Sequence, residues 1–489
     1  MNSSNKNQNQ GLDIVTPIVE FVHYFSVFIG AWLLEVLKFA WAKYNKLPQE
    51  LKRIDVKTAT VRKVTDDSLM IGHSCNRKKP LALSEINFSA HSYIVGAAGS
   101  GKTNLISVLQ ENHMKNDIPV IFVDPKADME SLLTFEYLCK KYGRKCYIFH
   151  ENYLNSVILN PLKEGTVNLI VDRIMNSFKF ENEFYKTTSE QAIRDSVAKL
   201  KVNRTEVTFD LIYEYMKVNH SNENTLGMIG HLERIVKSDF AHLLKEKSGK
   251  NTKSIKDIRK EKACLYIGIS TQGYGETAKA LARIFVEEML YTSFIQLGTT
   301  FDSHYSMKNP LAIYFDEFGA VATPRFLELQ NKCRGAGMQL FMAMQSPNDI
   351  KLIDENLTGL LIENSANIFV FKQRFDETAN MLAKTLGTVI GKKQTYQTED
   401  GSHGSRGSER DVNEFICHPD IIKNLKKGQC VLLQHDPTRV DLINIRNRRA
   451  EFIPTQHMNS EIVDKPIETS VVQNSSPVGE KINQLEVIQ

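Results

Sequence analysis

The sequence lacks most of the features that assign a partner or a compartment by composition alone. Lys and Arg number 61 against 57 Asp and Glu, so no charge excess singles out nucleic acid. The 7 cysteines are an odd number without a CxxC pair, which disfavours a disulfide framework and a zinc site and predicts reduced, buried thiols. Internal repeats are absent. What remains, 42% hydrophobic and 24% charged in 489 residues, suits a globular protein of two or three domains.

Long hydrophobic runs are also missing, except near the N-terminus. Phe21–Leu34 is a 14-residue stretch without Asp, Glu, Lys or Arg, whereas a helix needs about 20 apolar residues to cross a bilayer. In the longer segment 17–44, three charged residues fall with His23 on one helix face. Two interpretations stay open: a single spanning helix with a polar stripe, or an amphipathic helix on a membrane or a partner. The basic residues after the segment predict that the rest of the chain is cytoplasmic.

A glycine-rich loop carries the first chemical signal. Apolar residues 93–95 lead into Gly96-x-x-x-x-Gly101-Lys102-Thr103, and a helical pattern follows. This is the Walker A spacing in its strand–loop–helix context. Backbone N–H groups of such a loop and the helix N-terminus bind phosphate oxygens, while the lysine reaches the terminal phosphates and the threonine ligates Mg²⁺. The predicted nucleotide-binding loop is Gly96, Ala97, Ala98, Gly99, Ser100, Gly101, Lys102, Thr103 and Asn104.

Two adjacent acids follow an apolar strand in the segment AIYFDEFGA at 312–320. Burial of ionised carboxylates is costly unless a charge compensates them. With a phosphate loop upstream, Asp316 is expected to hold Mg²⁺ and Glu317 to polarise the attacking water. We therefore expect the bound cation to provide the compensation, so that the cost of burial is met only with nucleotide present.

Two further strand ends point to the same edge of a sheet. The segment 118–132 is an apolar strand that ends in Asp124 and Lys126, which predicts polar groups beside the phosphate loop. The run 324–350 predicts a helix, a glycine turn, a buried strand and then Gln345, which could sense the γ-phosphate or the attacking water. An NKxD element for reading guanine is absent, which disfavours a GTPase.

The ordered set of motifs resembles the HerA–FtsK superfamily of hexameric DNA-pumping ATPases. Within it, the sequence is most similar to the TraG/TraD coupling proteins of conjugation and type IV secretion. The resemblance covers about 75–450 and is carried by HSYIVGAAGSGKT, FVDPKAD, LNPL, YFDEFGA, RGAGMQLFMAMQS and HPDIIKNLKKGQCVLL. Ala98 and Ala127 depart from the Thr and Gly that are usual in the family.

The functional residues of the family carry over by position, with ATP and Mg²⁺ as cofactors. The resemblance implies Mg²⁺ at Thr103 and Asp316. It implies nucleotide contacts from the phosphate loop together with Asp124 and Lys126. Such enzymes also use an arginine from the neighbouring subunit, for which Arg334 is the first candidate and Arg374 the second. The implied catalytic set is Lys102, Glu317, Gln345, Arg334 and Arg374.

The predicted fold class is α/β: a RecA-like P-loop NTPase sheet with an inserted all-helical domain and an N-terminal membrane helix. Apolar residues at three-four spacing between 165 and 260 indicate the insertion. The Gly- and Ser-rich segment 391–411 predicts a long loop or a hairpin. The boundaries are a flexible tail at 1–16, the membrane helix at 17–44, a lead-in at 45–90, the nucleotide-binding domain at 91–164 and 260–454, the all-α domain at 165–259 and a disordered tail at 455–489.

The predicted function is a membrane-anchored homo-hexameric ATPase that moves relaxase-bound DNA to a type IV secretion channel. Its location would be the bacterial inner membrane, with one pass and a cytoplasmic ATPase domain. DNA contacts would be directed to the backbone and tolerant of sequence. Relaxosome and channel proteins would be its other partners. Two alternatives remain: another DNA translocase of the superfamily, or a nucleotide-gated docking platform with little hydrolysis.

Overall fold

The structure is a computed structural model that describes residues 23, 25–37, 70–76, 79–82, 91–245, 252–299, 309–399, 402–435 and 438–448. Side chains are not described at 299, 394–399 and 402–407. The predicted tails at 1–16 and 455–489, and most of the lead-in at 45–90, lie outside these residues. The chain divides into two compact units, 1–51 with 435–439 and the remainder, and each is described by itself.

The strands of the described residues form one 11-stranded sheet and one separate two-stranded hairpin. In chain order they are β1 (Met70–Ser74), β2 (Lys79–Ala82), β3 (His91–Val95), β4 (Val120–Asp124), β5 (Cys146–Phe149), β6 (Cys264–Gly268), β7 (Leu311–Phe315), β8 (Met338–Met344), β9 (Ser365–Phe371), β10 (Thr388–Glu399), β11 (Ser402–Phe415), β12 (Gln429–His435) and β13 (Thr438–Ile445). The order in the large sheet is β2-β1-β13-β12-β9-β3-β8-β7-β4-β6-β5.

Helices connect and cover these strands. In chain order they are α1 (Lys102–Lys115), α2 (Met129–Lys141), α3 (Val167–Ser177), α4 (Glu183–Val202), α5 (Phe209–Asn219), α6 (Leu226–Val236), α7 (Ile255–Lys260), α8 (Thr271–Thr299), α9 (Phe326–Cys333), α10 (Pro347–Lys351), α11 (Leu357–Glu363), α12 (Asp376–Leu386) and α13 (Pro419–Asn424). Helix α8 is interrupted at Gly275, whose φ of 52° and ψ of −127° are not helical.

The part of the sheet from β9 to β5 is parallel and determines where the site lies. Every residue of β3, β4, β6 and β7 is buried, as expected for parallel strands covered by helices on both faces. Strand β8 pairs in parallel with both β3 and β7, and β7 pairs in parallel with β4. Because parallel strands end at one edge, the phosphate loop after β3, the acids after β7, the turn after β4 and Gln345 after β8 meet there.

One face of this sheet packs against α1 and α2. Leu109 of α1 and Phe135 of α2 belong to the same buried cluster as Ile94, Phe122 and Tyr266 from the strands. The ring of Tyr266 lies edge-on to Phe122, with 5.5 Å between the ring centroids. This apolar layer fixes the start of α1, and therefore the phosphate loop, against the sheet.

The described residues between 165 and 259 are helical and contribute to the large sheet no strand of their own. Their contact with strand-like backbone is one isolated parallel bridge between Leu159 and Lys253. Helix α3 packs against α4 and against α8, so the helical segment rests on the helix that follows β6. Its apolar residues at three-four spacing, such as Ile170, Ile174 and Ile193, are buried, which explains the periodicity of the sequence.

Two peripheral predictions also meet described residues. For 391–411, the backbone forms a hairpin: β10 and β11 pair in antiparallel register from Thr388 and Phe415 to Glu399 and Ser402. The N-terminal unit is helical at 23 and 25–37. No helix among the described residues combines the length and hydropathy needed to cross a membrane. The predicted span 17–44 extends beyond these residues on both sides, and a single pass is not supported by them.

Candidate nucleotide-binding and hydrolysis site

The phosphate loop curves tightly between β3 and α1, and its glycines permit the curvature. Gly99 and Gly101 have φ angles of 73° and 115°, in the left-handed region that L side chains rarely adopt. A Cβ at Gly96 would lie 2.4 Å from the Cβ of Phe371 and 2.8 Å from the Oγ of Ser100. The loop is therefore packed closely on β9, and it forms the cradle that the sequence predicts.

Lys102 lies inside this cradle. Its side chain is buried, with 6% of the residue exposed, and its Nζ donates to the carbonyl oxygens of Gly96 at 2.5 Å and Ala97 at 3.3 Å. Burial lowers the pKa of Lys102, and the nearby carboxylate of Asp316 works in the opposite direction. The ammonium group is thus held where phosphate oxygens would exchange with loop carbonyls as its partners.

Thr103 and Asp316 are brought together as the sequence predicts. The Thr103 Oγ1 donates to the Asp316 Oδ2 at 3.3 Å, and Asp316 is only 2% exposed. Its Oδ1 accepts the backbone N–H of Glu317 at 3.0 Å. A hydroxyl and a carboxylate at the mouth of a phosphate loop are the hard oxygen ligands that Mg²⁺ prefers. The residues present therefore fit a bound Mg²⁺.

Glu317 is held from two sides. The Gln345 Nε2 donates to its Oε1 at 2.9 Å and its Oε2 at 3.0 Å, and the Lys126 Nζ lies 2.9 Å from its Oε2. Burial alone would raise the pKa of Glu317, but the hydrogen bonds from Gln345 and Lys126 outweigh burial and lower it. Its φ of 53° is unusual for a residue with a side chain.

The expectation that only a bound cation compensates the two acids is wrong. Lys126 supplies a positive charge to both, at 2.9 Å from Glu317 and 3.8 Å from Asp316. The hydroxyl of Thr103 and the amide of Gln345 add hydrogen bonds. The strand register explains this contact, because Val123 of β4 is the partner of Phe315 of β7, and both chains leave the sheet side by side.

Asp124 shapes the turn that carries Lys126. It is 1% exposed and accepts the hydroxyl of Tyr266 at 2.7 Å and the backbone N–H groups of Lys126 and Asp128 at 3.0 and 3.1 Å. Burial and the nearby Asp316 raise its pKa to about 6. Ala127, in the middle of the turn, has a φ of 52°. Asp124 thus binds its own turn and does not line the cavity that contains the phosphate loop.

That cavity, of about 530 Å³, has a wall that the sequence did not predict. One side consists of loop residues with Lys126 and Gln345, as expected. The other side comes from the far end of the chain: Lys427, Gly428, Gln429, Asn444, Ile445 and Asn447. The Gly428 N–H donates to the Ser100 oxygen at 2.9 Å, which ties this turn to the loop. The motif that contains Gly428 was part of the resemblance, but the spacing alone gave it no role.

Asn104 connects the loop to the same C-terminal segment. Its Nδ2 donates to the Arg446 oxygen at 2.8 Å, and its Oδ1 accepts the Arg448 N–H at 3.0 Å. Both arginine side chains contact the buried carboxylate of Glu111 on α1. Asn104 lines the nucleotide cavity, and both ends of its amide also hold residues 446–448.

The two candidate arginines lie apart from the cavity. Arg334 is exposed at the C-terminal end of α9, and Arg374 is exposed between β9 and α12. Neither is among the residues that line the cavity within the described chain. Arg334 is close enough to His91 to contribute, after burial, to lowering the pKa of that histidine to about 4. Within one chain, neither arginine completes the site.

Two family models match the sequence. Residues 69–271 match the central domain of the helicase HerA, and residues 310–427 match the TraM recognition site of TraD and TraG. The first region contains the phosphate loop and the Asp124 turn, and the second contains the two acids and Gln345. A search of curated proteins found no match.

Solved structures with the same fold include conjugative coupling proteins. The unbound TrwBΔN70 coupling protein aligns with a TM-score of 0.57 and 15% identity, over 81% of this chain and 94% of that one. TrwB in complex with ADP and Mg²⁺ gives 0.55 and 15%, over 82% and 95%. VirB4 of Thermoanaerobacter pseudethanolicus gives 0.54 and 13%, over 80% and 100%. At these identities the alignments establish a shared P-loop NTPase fold.

Proposed function

We propose that this chain, a TraG/TraD-type coupling ATPase of the HerA–FtsK superfamily by its two family models and its fold, moves relaxase-bound DNA to a type IV secretion channel. Its activity is ATP hydrolysis, with ATP and Mg²⁺ as ligands of the site. The observation that supports the motor is the geometry of Glu317, an acid oriented by Gln345 and Lys126 directly beside the Mg²⁺ ligands.

Each side chain has a task in this proposal. Lys102 exchanges the Gly96 and Ala97 carbonyls for terminal phosphate oxygens, and Thr103 and Asp316 hold Mg²⁺. Bound there, Mg²⁺ neutralises charge on the phosphates. Glu317 orients the attacking water and accepts its proton at a carboxylate oxygen. Gln345 keeps that carboxylate in place and stands where it senses the γ-phosphate.

Lys126 gives the site a switch. In the structure its ammonium is paired with Glu317, which leaves that oxygen less available as a base. Lys126 also lines the cavity and is half exposed, so the γ-phosphate is an alternative partner within its reach. Exchange of Glu317 for phosphate would free the base only when ATP is bound. The exchange of partners by Lys126 would therefore keep the general base inactive until ATP is bound.

A ring of identical subunits would complete the site. Arg334 and Arg374 are exposed and lie outside the cavity of their own chain, as an arginine acting on a neighbour must be. We assign Arg334 first and Arg374 second to this role, in a homo-hexamer. The described helical residues between 165 and 259 would form the inserted domain on the cargo side. Relaxosome proteins and DNA, contacted through its backbone, would be the cargo.

Membrane attachment is assigned to the N-terminal segment 17–44, at the bacterial inner membrane. Its helical residues expose a set of large apolar side chains: Phe25, Val27, Phe28, Trp32, Leu33, Leu34 and Leu37. Exposed apolar surface of this kind is buried by a membrane or by partner helices. Carbonate extraction of membranes should leave the full chain in the pellet, whereas recovery in the supernatant would contradict this assignment.

DNA-stimulated ATP turnover by the purified full chain tests the function. Lys102→Ala and Glu317→Gln should both abolish turnover and conjugative transfer, and Glu317→Gln should still bind ATP. General-base catalysis of this kind contributes about 10²- to 10⁴-fold. Transfer that survives Glu317→Gln but not Lys102→Ala would favour the docking platform instead. Absence of turnover in the assembled wild-type protein with DNA would contradict the motor.

A further inference from the structure

A second cavity, of about 210 Å³, lies where the helical segment meets α8. Three elements line it: the chain just after α3, the C-terminal half of α6, and the first turns of α8. Its charged and aromatic lining residues are Phe178, Lys179, His231, Arg234, Glu276 and Arg283. We call it the basic pocket, since its cations outnumber its one acid.

Arg283 is the least exposed charge of the basic pocket. It is 9% exposed, and its Nε has no hydrogen-bond partner among the described residues. Burial lowers its pKa, and Glu276 only partly offsets this effect. Glu276 is itself engaged, because its Oε1 accepts the Lys279 Nζ at 2.8 Å. A buried guanidinium without a dedicated counter-ion is costly, and an anion in the cavity would compensate it.

The other side chains of the pocket fit an anion with planar aromatic groups attached to it. Lys179 makes no ion pair within the described residues, and Arg234 donates to the Nδ1 of His231 at 2.6 Å. The His231 ring lies against the ring of Phe178, with 4.9 Å between centroids. Arginines and lysines next to aromatic faces are the combination that binds the phosphates and bases of nucleic acid.

We infer that the basic pocket binds a phosphodiester group of the DNA backbone, through Arg283, Arg234 and Lys179. This inference rests on the proposed DNA-moving function and assigns one of its DNA contacts to a specific pocket. The pocket is outside the nucleotide cavity and shares no lining residue with it. A phosphate held there would contact the helical segment and α8 at the same time.

Fluorescence anisotropy with labelled DNA tests the inference on the full chain over a series of salt concentrations. The double variant Lys179→Ala, Arg234→Ala changes two exposed side chains, so the fold is retained. Each lost phosphate contact should reduce the slope of log affinity against log salt by about 0.7 for single strands or 0.9 for duplex. Because the three cations share one phosphate, the double variant should lose up to about 0.7 or 0.9. Arg283→Lys keeps the charge and should weaken binding with the slope nearly retained, because the planar fork is lost.

Lys186→Ala is the matched control, since Lys186 pairs with Glu183 at 3.1 Å on α4, away from the pocket. A double variant with the slope of wild type or of this control would overturn the inference. Weaker binding of inorganic phosphate to the double variant with an unchanged DNA slope would show a free-phosphate site and overturn the inference. Weaker binding of polyglutamate to the double variant with an unchanged DNA slope would show an acidic protein partner and overturn it too.

The outcomes separate the inference from the function beneath it. DNA-stimulated turnover in wild type, with an unchanged salt slope in the double variant, would support the motor and contradict the phosphate site in the basic pocket. A reduced salt slope in the double variant, without DNA-stimulated turnover in wild type, would support the phosphate site and contradict the motor. Wild-type protein that binds no DNA at low salt would remove the pocket as well.

Discussion

The most direct test of how the site is assembled is the substitution Glu111→Gln. Glu111 lies on α1, ten residues after Gly101 of the phosphate loop, and it is fully buried. Its carboxylate contacts the guanidinium groups of Arg446 and Arg448, and its Oε1 accepts the Lys141 Nζ at 3.0 Å and the Tyr142 hydroxyl at 2.7 Å. The substitution keeps the shape of the side chain and removes its charge.

The structure sets the magnitude. Burial would raise the pKa of Glu111, but Arg448, Arg446 and Tyr142 outweigh it and lower the pKa from 4.5 to about 2. At 1.36 kcal/mol per pKa unit, the charge contributes about 3 kcal/mol of folding stability at neutral pH. Because the folded pKa is the lower one, this contribution is complete above about pH 4.5 and is lost as the pH falls toward 2. Loss of one partner from a buried ion pair costs about 3–5 kcal/mol, which agrees.

Urea unfolding of wild type and Glu111→Gln at several pH values measures this contribution. The difference in unfolding free energy should be about 3 kcal/mol at pH 7 and should shrink between pH 4.5 and pH 2. Affinity for ATP should fall as well, because Asn444, Ile445 and Asn447 line the nucleotide cavity and this segment is held through Arg446 and Arg448. Glu233→Gln, on the surface and paired with Lys237, is the control and should change little. Equal unfolding free energies for Glu111→Gln and the control Glu233→Gln at pH 7 would refute the reasoning.

Three further substitutions probe single contacts. Ala127→Gly should stabilise the protein by about 0.5–1 kcal/mol in thermal unfolding, because the φ of 52° disfavours a side chain; a lower melting temperature would contradict this. Gly428→Ala should raise the KM for ATP with little change in kcat, since its φ of 79° strains alanine by about 1–2 kcal/mol although no atom lies within 4 Å; an unchanged KM would separate this turn from the nucleotide. Lys126→Met should move the acid limb of the kcat/KM pH profile upward, because in the free enzyme Lys126 helps to lower the pKa of Glu317; an unchanged limb would show that Lys126 does not act on this base.

The local part of the site could be predicted from the sequence, because the information is local. Three apolar residues, a glycine spacing and a following helical pattern define the phosphate loop without reference to the rest of the chain. The same holds for Asp316 and Glu317 after β7. In each case the functional residues directly follow the strand that positions them. The local sequence pattern therefore also predicts where they lie in the sheet.

The tertiary part could not be predicted, because it depends on strand order. Lys126 reaches Glu317 only because β4 lies next to β7 and Val123 is in register with Phe315. The C-terminal wall exists only because the Gly428 N–H reaches the Ser100 oxygen, across more than 300 residues of sequence. Asn104 illustrates the same limit: its place in the loop suggested a ligand contact, and packing against 446–448 gave its amide another use.

One turn connects the hydrolysis site to the helix that lines the basic pocket. Lys126 contacts Glu317, while the oxygen of the preceding Pro125 accepts the Thr271 N–H at 2.9 Å and its Oγ1 at 3.1 Å at the start of α8. Arg283 lies on that helix, beyond its break at Gly275. A change of partner by Lys126 would therefore act on α8 through Thr271. Thr271→Val removes one hydrogen bond of about 1 kcal/mol, so we expect DNA stimulation of turnover to fall by up to about fivefold with DNA-free turnover retained. Equal loss of both rates would assign the contact to folding instead of coupling.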